Sequence, residues 1–385
     1  MNWEILLARP AFTLRRSGRF VVAELTGPHV VLSTSAKNGG QVVHVRWLVN
    51  HQSCEGAGHL DRHDVIVSAG ADGYHDAVCA EIDLPAGETA VMGTAANMNY
   101  TSWVHEADDD VGVTAVVTAG VEGNATTAGD PAAWRETVDG IRSVQAVAGT
   151  INTMLLIDRP LTAAALARAV MIMTEGKTAA LQRLAVPSKR HIDLATGTGT
   201  DQYCIAVPVA GSGPSGKALT SASPHMKLGE SIGRATRDAT LEALRWQNGL
   251  EASYTRGLFH ALGRYGVREA TIFDDVAPFL GQGDLELLRK NSKAAFYEPL
   301  VGAAAHALAT VCDRVRHGTL PESVVADAMA QQAASLAANL AAQADRWPEF
   351  RAALRVHASA DVKTLVLRAV ALGWSAKWRS GDGPR

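Results

Sequence analysis

The chain is poor in cysteine, in aromatic residues and in long apolar runs, and each shortage excludes a class of protein. Its 385 residues include four cysteines, and 5% are aromatic. The cysteines, at positions 54, 79, 204 and 312, form no CxxC pair. This spacing argues against a disulfide framework or a zinc knuckle, and we expect a reducing, cytoplasmic setting. No apolar run approaches the ~20 residues of a membrane-spanning helix, so we expect no membrane partner.

Charge of either sign is not in excess. The chain has 36 basic and 39 acidic residues, which give a net charge of −3. A nucleic-acid-binding protein usually shows a basic patch or stripe, and we therefore expect no nucleic-acid partner. Residues 1–19 carry Glu4 and Arg9 where a secretory leader needs an unbroken apolar stretch, so we expect none there. Apolar residues make up 47% of the chain, which is ample for a globular core.

Two kinds of hydrophobic pattern alternate in the first two-thirds of the chain. Valine-rich runs bounded by turn residues predict strands over 20–25, 29–34, 41–50, 111–119, 150–157 and 203–209. Apolar residues at helical spacing predict helices over 161–184 and from about 225 to 247, with a shorter one over 74–82. Several early strands are joined by hairpin-type turns. The pattern therefore predicts an α+β protein with a layered core built on mixed sheets.

The composition changes after residue 249. Residues 250–385 are rich in alanine and poor in strand patterns, with helical periodicity over 294–316, 321–345 and 347–372. We therefore predict two domains, a catalytic domain over 1–249 and a helical extension over 250–385. The role of the extension is open. Contacts in a homo-oligomer or a lid over the site are the roles that we expect for it.

Short segments rich in glycine, threonine and asparagine stand at the ends of apolar runs, where rigid elements can present polar groups. They are LSTSAKNGG (32–40), TAANM (94–98), VVTAGVEGNATTAGD (116–130), GTINTMLLIDRP (149–160), ATGTGTDQYCIAVP (195–208) and HMKLGESIG (225–233). Their order and spacing resemble the adenosylcobinamide amidohydrolase (CbiZ) family over roughly residues 12–247. The unit over 150–209 also resembles the ornithine acetyltransferase family, which implies an αββα arrangement of layers.

The first resemblance implies a reaction. The substrate would be adenosylcobinamide, and the bond cut would be the secondary amide between its aminopropanol arm and the corrin ring. The products would be adenosylcobyric acid and aminopropanol. The corrinoid would be the substrate rather than a cofactor, and we expect no resident cofactor. Two alternatives stay open: the same chemistry on another amide or lactam, or a corrinoid-binding protein without catalysis.

Four residues are candidates for the chemistry of the site. Among common side chains histidine alone titrates near neutrality, which makes His225 the preferred general acid or base. Asp201 offers a carboxylate at a strand entrance, and Lys177 can protonate the leaving amine if burial lowers its pKa. Glu175 and Lys177 can share one site if Gly176 bends the helix. Each also has a structural reading, as a turn, a helix start or a solvated charge.

Further residues are candidates for holding the neutral amides of a corrin rim. Two glycines in GTGTDQ let a backbone approach a ligand closely, and amide and hydroxyl side chains supply hydrogen bonds. The alternative is an ordinary turn or bulge. The candidates are His51, Asn97, Asn124, Thr150, Asn152, Gly197, Thr198, Gly199, Thr200 and Glu230.

Histidines are also concentrated near the N-terminus. His51, Cys54, His59 and His63 are metal-binding residue types. Their spacing matches no HExxH or CxxC motif. We therefore expect no metal site, and a divalent metal in this stretch is the less favoured alternative.

Overall fold

A computed structural model of the protein describes residues 1–55, 60–109, 111–132, 134–138, 140–143, 149–211, 216–359 and 361–379. The side chains of 60–67, 134, 136–137 and 140–143 are outside this description. The chain divides into two compact units, Met1–Leu250 and Glu251–Arg385.

The strands all belong to the first unit. They are β1 (Glu4–Arg9), β2 (Phe12–Ser17), β3 (Phe20–Leu25), β4 (His29–Ser33), β5 (Gly40–Val42), β6 (Trp47–Gln52), β7 (Thr89–Thr94), β8 (Ser102–Asp108), β9 (Val111–Ala119), β10 (Ala125–Thr126), β11 (Trp134–Thr137), β12 (Gly140–Ser143), β13 (Ile151–Ile157), β14 (Gly197–Thr198) and β15 (Gln202–Pro208). Sheet 1 has the order β1-β2-β3-β6-β7, and sheet 2 has the order β5-β4-β15-β13-β9-β8. Short antiparallel ladders join β10 to β14 and β11 to β12. Both large sheets are mixed, since β6 and β7 are parallel and so are β13 and β15.

Three long helices belong to the first unit and the others to the second. They are α1 (Leu60–Glu81), α2 (Ala163–Arg183), α3 (Lys227–Asn248), α4 (Ala252–Thr255), α5 (Leu258–Leu262), α6 (Ile272–Val276), α7 (Gln282–Lys290), α8 (Ser292–Phe296), α9 (Pro299–Arg316), α10 (Glu322–Ala341), α11 (Trp347–Arg355) and α12 (Val362–Ala376). Short 3-10 turns lie at Ala86–Glu88, Met98–Tyr100, Gly263–Tyr265, Ala277–Phe279 and Ala344–Arg346. Among the described residues, no helix combines the length and apolarity that crossing a membrane requires.

The first unit has four layers in the order α, β, β, α. Leu48 of sheet 1 and Met154 of sheet 2 meet in a core between the two sheets. Val49, the neighbour of Leu48 on β6, points the other way and packs with Val78 of α1. On the outer side of sheet 2, Leu155 packs against α2 and α3. Side chains alternate along each strand, so each sheet buries both of its faces. The structure therefore confirms the predicted α+β core with αββα layers.

Helix α2 confirms the helix predicted over 161–184. Thr162 caps its start, and the threonine side chain accepts a hydrogen bond from the Ala165 N–H. Gly176 does not bend the helix. It lies against α3 instead, because a Cβ built on Gly176 would be 2.8 Å from the Gly233 carbonyl oxygen. The glycine therefore sets how closely the two helices pack.

Some predicted boundaries are wrong. The strand predicted over 41–50 is two strands in different sheets, β5 and β6, because the chain turns between them. The helix predicted over 74–82 is the second part of α1, which is interrupted at Gly70 by a φ of 70°. The hairpin of β1 and β2 has no counterpart in the prediction.

The second unit confirms the predicted C-terminal helical region. Its core contains Leu308 of α9, Leu336 of α10 and Val366 of α12, all fully buried. Arg264 reinforces it with two hydrogen bonds of 2.6 Å to the Asp313 carboxylate. The stretch predicted as helical over 347–372 is two helices, α11 and α12.

Candidate functional site

Polar side chains replace apolar ones at one end of the space between the two sheets. On sheet 1, Asn50 and Gln52 follow Leu48 at every second position of β6, so they point to the same inner face. On sheet 2, Asn152 precedes the core residue Met154 by two positions. We call this group the polar end, and its members are Asn50, Gln52, Thr94, Thr118, Asn152 and Gln202.

Hydrogen bonds connect the two sheets at the polar end. The Asn152 side-chain NH₂ donates to Asn50 Oδ1 at 2.8 Å and to the Gly93 carbonyl oxygen at 3.1 Å. Asn50 Nδ2 donates in turn to Thr118 Oγ1 at 2.7 Å. The Gly93 N–H donates to Gln202 Oε1 at 3.1 Å. These four bonds fix the orientation of each amide side chain involved.

Asn152 presents an acceptor oxygen. A backbone carbonyl only accepts hydrogen bonds, so the side-chain nitrogen must face Gly93 and Oδ1 must face away. Asn152 is 1% exposed, and its Oδ1 has no hydrogen-bond partner within the described part of the chain. A buried acceptor without a donor costs about 1–3 kcal/mol. An N–H or O–H donor would satisfy this oxygen, and an oxyanion would not.

A second group of polar residues lies just before β13 and β15. Thr200 Oγ1 donates to the Gly149 carbonyl oxygen at 2.8 Å, so its single proton is committed there. The Thr150 hydroxyl, 2.7 Å away, must then donate to Thr200 Oγ1. Asn124 Nδ2 also donates to Thr200 Oγ1, at 3.2 Å. Two donors thus converge on the hydroxyl oxygen of an exposed threonine, an arrangement that favours partial negative charge there.

Asp201 is held by four donors. Its Oδ1 accepts from the Ile151 N–H at 3.0 Å and from Thr198 Oγ1 at 2.5 Å. Its Oδ2 accepts from the Thr198 N–H at 3.1 Å and from Lys177 Nζ. Both side chains of the ion pair are mostly buried, with 18% of Asp201 and 14% of Lys177 exposed. Both carboxylate oxygens are occupied, and their bonds hold the loop 197–201 against β13 and α2.

The glycines of this loop make room for the ion pair. A Cβ on Gly197 would lie 2.5 Å from Asp201 Oδ2 and 2.7 Å from Lys177 Nζ. At Gly199 a Cβ would lie 3.1 Å from Asn124 Oδ1. Any side chain at position 197 would therefore displace the charged pair.

The structure brings together most of the residues proposed from sequence. They come from four separate segments and meet at the end of sheet 2 where β13 and β15 begin. The residues are Asn124, Thr150, Asn152, Lys177, Gly197, Thr198, Gly199, Thr200 and Asp201.

His225 lies elsewhere, which corrects the expectation that it shares a cleft with Asn152 and Thr200. It is exposed two residues before α3. Helix α3 begins near Asp108, whose carboxylate is 4.0 Å from Lys227 Nζ. Asp108 ends β8, beyond the level at which β13 ends. His225 is therefore at the opposite end of sheet 2 from the start of β13.

Glu230 and Glu175 also lie away from the polar end. Glu230 is on the first turn of α3 and bonds to Lys227 at 3.1 Å and to Arg234 at 2.8 Å. These cations lower the pKa of Glu230, with the Lys227 hydrogen bond as the largest cause. Glu175 is exposed on α2 and does not join Lys177, because the helix is unbroken at Gly176.

His51 and Asn97 make their contacts with other residues of the protein. His51 points to the α1 side of sheet 1, where its ring stacks on Phe20 at 4.6 Å and lies 5.8 Å from Tyr74. It is 1% exposed and faces away from the polar end. Asn97 caps the 98–100 turn by accepting from the Asn99 N–H at 2.9 Å. Its own N–H donates to Gln247 Oε1 at 2.9 Å.

The proposed histidine cluster can be followed only in part. His59 and the side chain of His63 lie outside the described residues. Cys54 Sγ accepts a hydrogen bond of 3.8 Å from Ser53 Oγ. Within the described part of the chain, no three His, Cys, Asp or Glu side chains come together as metal ligands would.

Sequence reasoning missed Thr94, Thr118 and the Gly93 backbone. Thr118 is the second polar residue within the apolar run of β9, four positions after Thr114. A buried threonine in such a strand is a signal, but its meaning depends on which residue faces it. That partner, Asn50, is 68 positions away in sequence.

Comparison with known proteins identifies the family. Residues 8–252 match the family model described as CbiZ, adenosylcobinamide amidohydrolase. The uncharacterized protein MJ1613 of Methanocaldococcus jannaschii is 35% identical over 180 residues, which cover 44% of this chain and 68% of that protein.

Solved structures are more distant. An L-aminopeptidase D-Ala-esterase/amidase from Ochrobactrum anthropi, described as a variant among the Ntn hydrolase fold, covers 62% of this chain and 80% of its own, with 14% identity and a TM-score of 0.30. A β-aminopeptidase from Burkholderia sp. covers 62% of this chain and 82% of its own, with 14% identity and a TM-score of 0.29. The match over residues 8–252 decides the question of family: the chain belongs to the adenosylcobinamide amidohydrolase family.

Proposed function

We propose that the chain hydrolyses the secondary amide that joins aminopropanol to the corrin ring of adenosylcobinamide, as an enzyme of corrinoid salvage. Water adds to the amide carbonyl carbon, the C–N bond breaks, and the nitrogen leaves with a proton. The products are adenosylcobyric acid and aminopropanol. In this proposal the corrinoid, with its cobalt, is the substrate, and the chain needs no resident cofactor.

One observation carries the proposal: among the described residues, none donates a hydrogen bond to the buried Oδ1 of Asn152. A secondary amide supplies one N–H beside the bond to be cut. An N–H accepted by Asn152 would fix the plane of the scissile amide at the polar end. The other side chains there are also amides and hydroxyls, which complement the neutral carboxamides around a corrin ring.

A loop and a charged residue beside the polar end meet two further needs of amide hydrolysis, a fixed position for the substrate and a proton for the leaving amine. The Thr200 oxygen, with donors from Thr150 and Asn124, lies on the exposed loop beside the polar end. Its one proton is donated to Gly149 and both of its acceptor positions are filled, so Thr200 holds this loop in place beside the reacting amide. Lys177 Nζ is a cation bonded to this loop through Asp201. We assign it the proton for the leaving amine.

The test is the identity of the products. Purified protein is incubated with adenosylcobinamide, and released aminopropanol and adenosylcobyric acid are measured by mass spectrometry. Stoichiometric release of both supports the proposal. Tight binding of intact adenosylcobinamide without release would replace it with a corrinoid-binding role. Inert corrinoids with turnover of another amide or lactam would replace the substrate alone.

A further inference from the structure

A cavity of about 600 Å³ opens at the end of the two sheets opposite the polar end. Its walls are the β1–β2 turn, the β3–β4 turn and the far ends of β9, β13 and β15. Small-molecule sites in proteins commonly have volumes of roughly 300–1,000 Å³. None of the residues predicted from sequence lines this cavity, and the proposed amide hydrolysis does not use it.

Charged and titratable side chains converge on the cavity. Arg9 and Arg159 line it together with one carboxylate, Asp158, so positive charge predominates. Burial lowers the pKa of both His29 and His105, and the Arg9 charge adds to the effect at His105. Both rings are therefore neutral at pH 7 and able to donate or accept hydrogen bonds.

His105 and Asp158 are held in place by the strand beneath them. Asp158 Oδ1 accepts from the Gly112 N–H at 2.7 Å. His105 Nδ1 is 2.9 Å from Thr114 Oγ1. Their second polar atoms, His105 Nε2 and Asp158 Oδ2, make no hydrogen bond within the described part of the chain. Each is available to a ligand.

Gly112 is what allows these two side chains to lie over the strand. A Cβ built there would come within 2.5 Å of Asp158 Oδ2 and 3.0 Å of His105 Cε1. The two groups thus occupy the space that any other residue would fill. Apolar walls complete the cavity, with Phe12 and Leu156 at 4% and 3% exposure.

We propose that this cavity is a second ligand site, which binds a small organic acid with a hydroxyl or amino group a few bonds from its carboxylate. Arg9 and Arg159 take the carboxylate, since guanidinium groups match its geometry. His105 and Asp158 take the hydroxyl or amino group. Phe12 and Leu156 cover the short carbon chain between them.

Isothermal calorimetry on the full chain tests the site with β-hydroxybutyrate as the probe. We expect saturable binding with one ligand per chain. Butyrate, which lacks the hydroxyl, should bind the parent protein about tenfold more weakly than β-hydroxybutyrate does. The Arg9→Gln variant should bind β-hydroxybutyrate about tenfold more weakly than the parent protein does. Arg9 is exposed, so this variant should fold. Arg183→Gln, on α2 and outside the cavity, is the matched control and should bind like the parent protein.

Three results would overturn the proposal. The first is the lack of any saturable binding. The second is binding of β-hydroxybutyrate to the Arg9→Gln variant as tight as to the parent protein. The third is binding of inorganic phosphate as tight as that of β-hydroxybutyrate. His105→Gln separates the two halves of the site: it should weaken β-hydroxybutyrate about tenfold and leave butyrate unchanged. If it weakens both probes equally, the assignment of the hydroxyl to His105 is wrong.

Discussion

Asn152 of sheet 2 donates a hydrogen bond of 2.8 Å to Asn50 of sheet 1 across the interior of the protein. This single bond depends on residues 102 positions apart in sequence. With the bond to Gly93 it uses the whole NH₂ group of Asn152, while no residue in the described ranges donates to the Asn152 carbonyl oxygen. The Asn152 side chain thus both links the two sheets and, in the proposed reaction, binds the substrate amide.

The first prediction concerns the cost of breaking this link. Asn50→Leu should lower the free energy of unfolding by about 1–3 kcal/mol, because it leaves the Asn152 NH₂ without one acceptor and removes a donor to Thr118. Urea denaturation measures the change. Asn99→Ala, at an exposed position, is the control and should change stability by less than about 0.5 kcal/mol. Equal stability of the two variants would show that the link contributes nothing.

The second prediction concerns the ion pair behind the loop. Asp201→Asn should destabilise the protein by about 1–3 kcal/mol, since it leaves a mostly buried Lys177 without its counter-charge. The double variant with Lys177→Met should recover part of this loss. A double-mutant cycle by urea denaturation gives the coupling energy. Additive losses would mean that the two residues do not stabilise each other.

The third prediction concerns the contact between α2 and α3. Alanine favours a helix over glycine by roughly 0.5–1 kcal/mol. A Cβ on Gly176 would nevertheless lie 2.8 Å from the Gly233 oxygen, and overpacking of this kind costs about 1–3 kcal/mol. Gly176→Ala should therefore lower the melting temperature. Gly283→Ala, on α7 with open space around it, should not. A stabilised Gly176→Ala variant would contradict this packing.

The fourth prediction concerns pH. Burial lowers the pKa of His29 below its ordinary 6.5, against the opposing effect of its hydrogen bond to the Gly27 carbonyl. Between pH 6.5 and the lowered pKa, His29 is protonated in the unfolded chain but neutral in the folded chain. Stability should thus fall as the pH drops from 6.5 towards the lowered pKa. Urea denaturation at about pH 7.5 and about pH 5.5 should show a smaller loss for His29→Gln than for the parent. Identical losses would remove His29 as a cause.

The fifth prediction concerns residues 251–385, whose role as oligomer contacts or a lid remains a prediction. Each compact unit has its own apolar core. A chain of residues 1–250 should therefore fold and cleave adenosylcobinamide, but with a changed molar mass by light scattering or a changed KM. Unchanged mass and kinetics would eliminate both roles.

Elements that depend on local pattern could be predicted well. The strand Val111–Ala119 has the predicted bounds, since a run rich in valine and threonine ends there at Gly120. Helix α2 begins at Ala163, close to the predicted start at residue 161, and the Thr162 side chain caps it. The prediction of a single strand over 41–50 was wrong because strand-forming residues continue where the chain passes from one sheet to the other. Local propensity contains no information about which sheet a residue joins.

The candidate site was predictable in composition but not in arrangement. Polar residues at the starts of β13 and β15 could be found because they stand in glycine- and threonine-rich segments at the ends of apolar runs. The parallel pairing of the two strands, which the sequence did not predict, brings them to one edge. The prediction that His225 belongs to this site was wrong, because its position depends on the direction in which α3 crosses sheet 2. The acceptor role of Asn152 could not be predicted, since it follows from the Gly93 carbonyl on the other sheet.

The most direct measurement is the rate of aminopropanol release from adenosylcobinamide by Asn152→Ala, beside His225→Ala and the parent chain. With folding verified by circular dichroism, Asn152→Ala should lose about 100-fold or more in kcat, as expected when a group that orients the reacting amide is removed. His225→Ala should stay within about threefold of the parent, because it lies at the other end of the sheet. A fully active Asn152→Ala variant, or an inactive His225→Ala variant, would contradict the location of amide hydrolysis at the polar end.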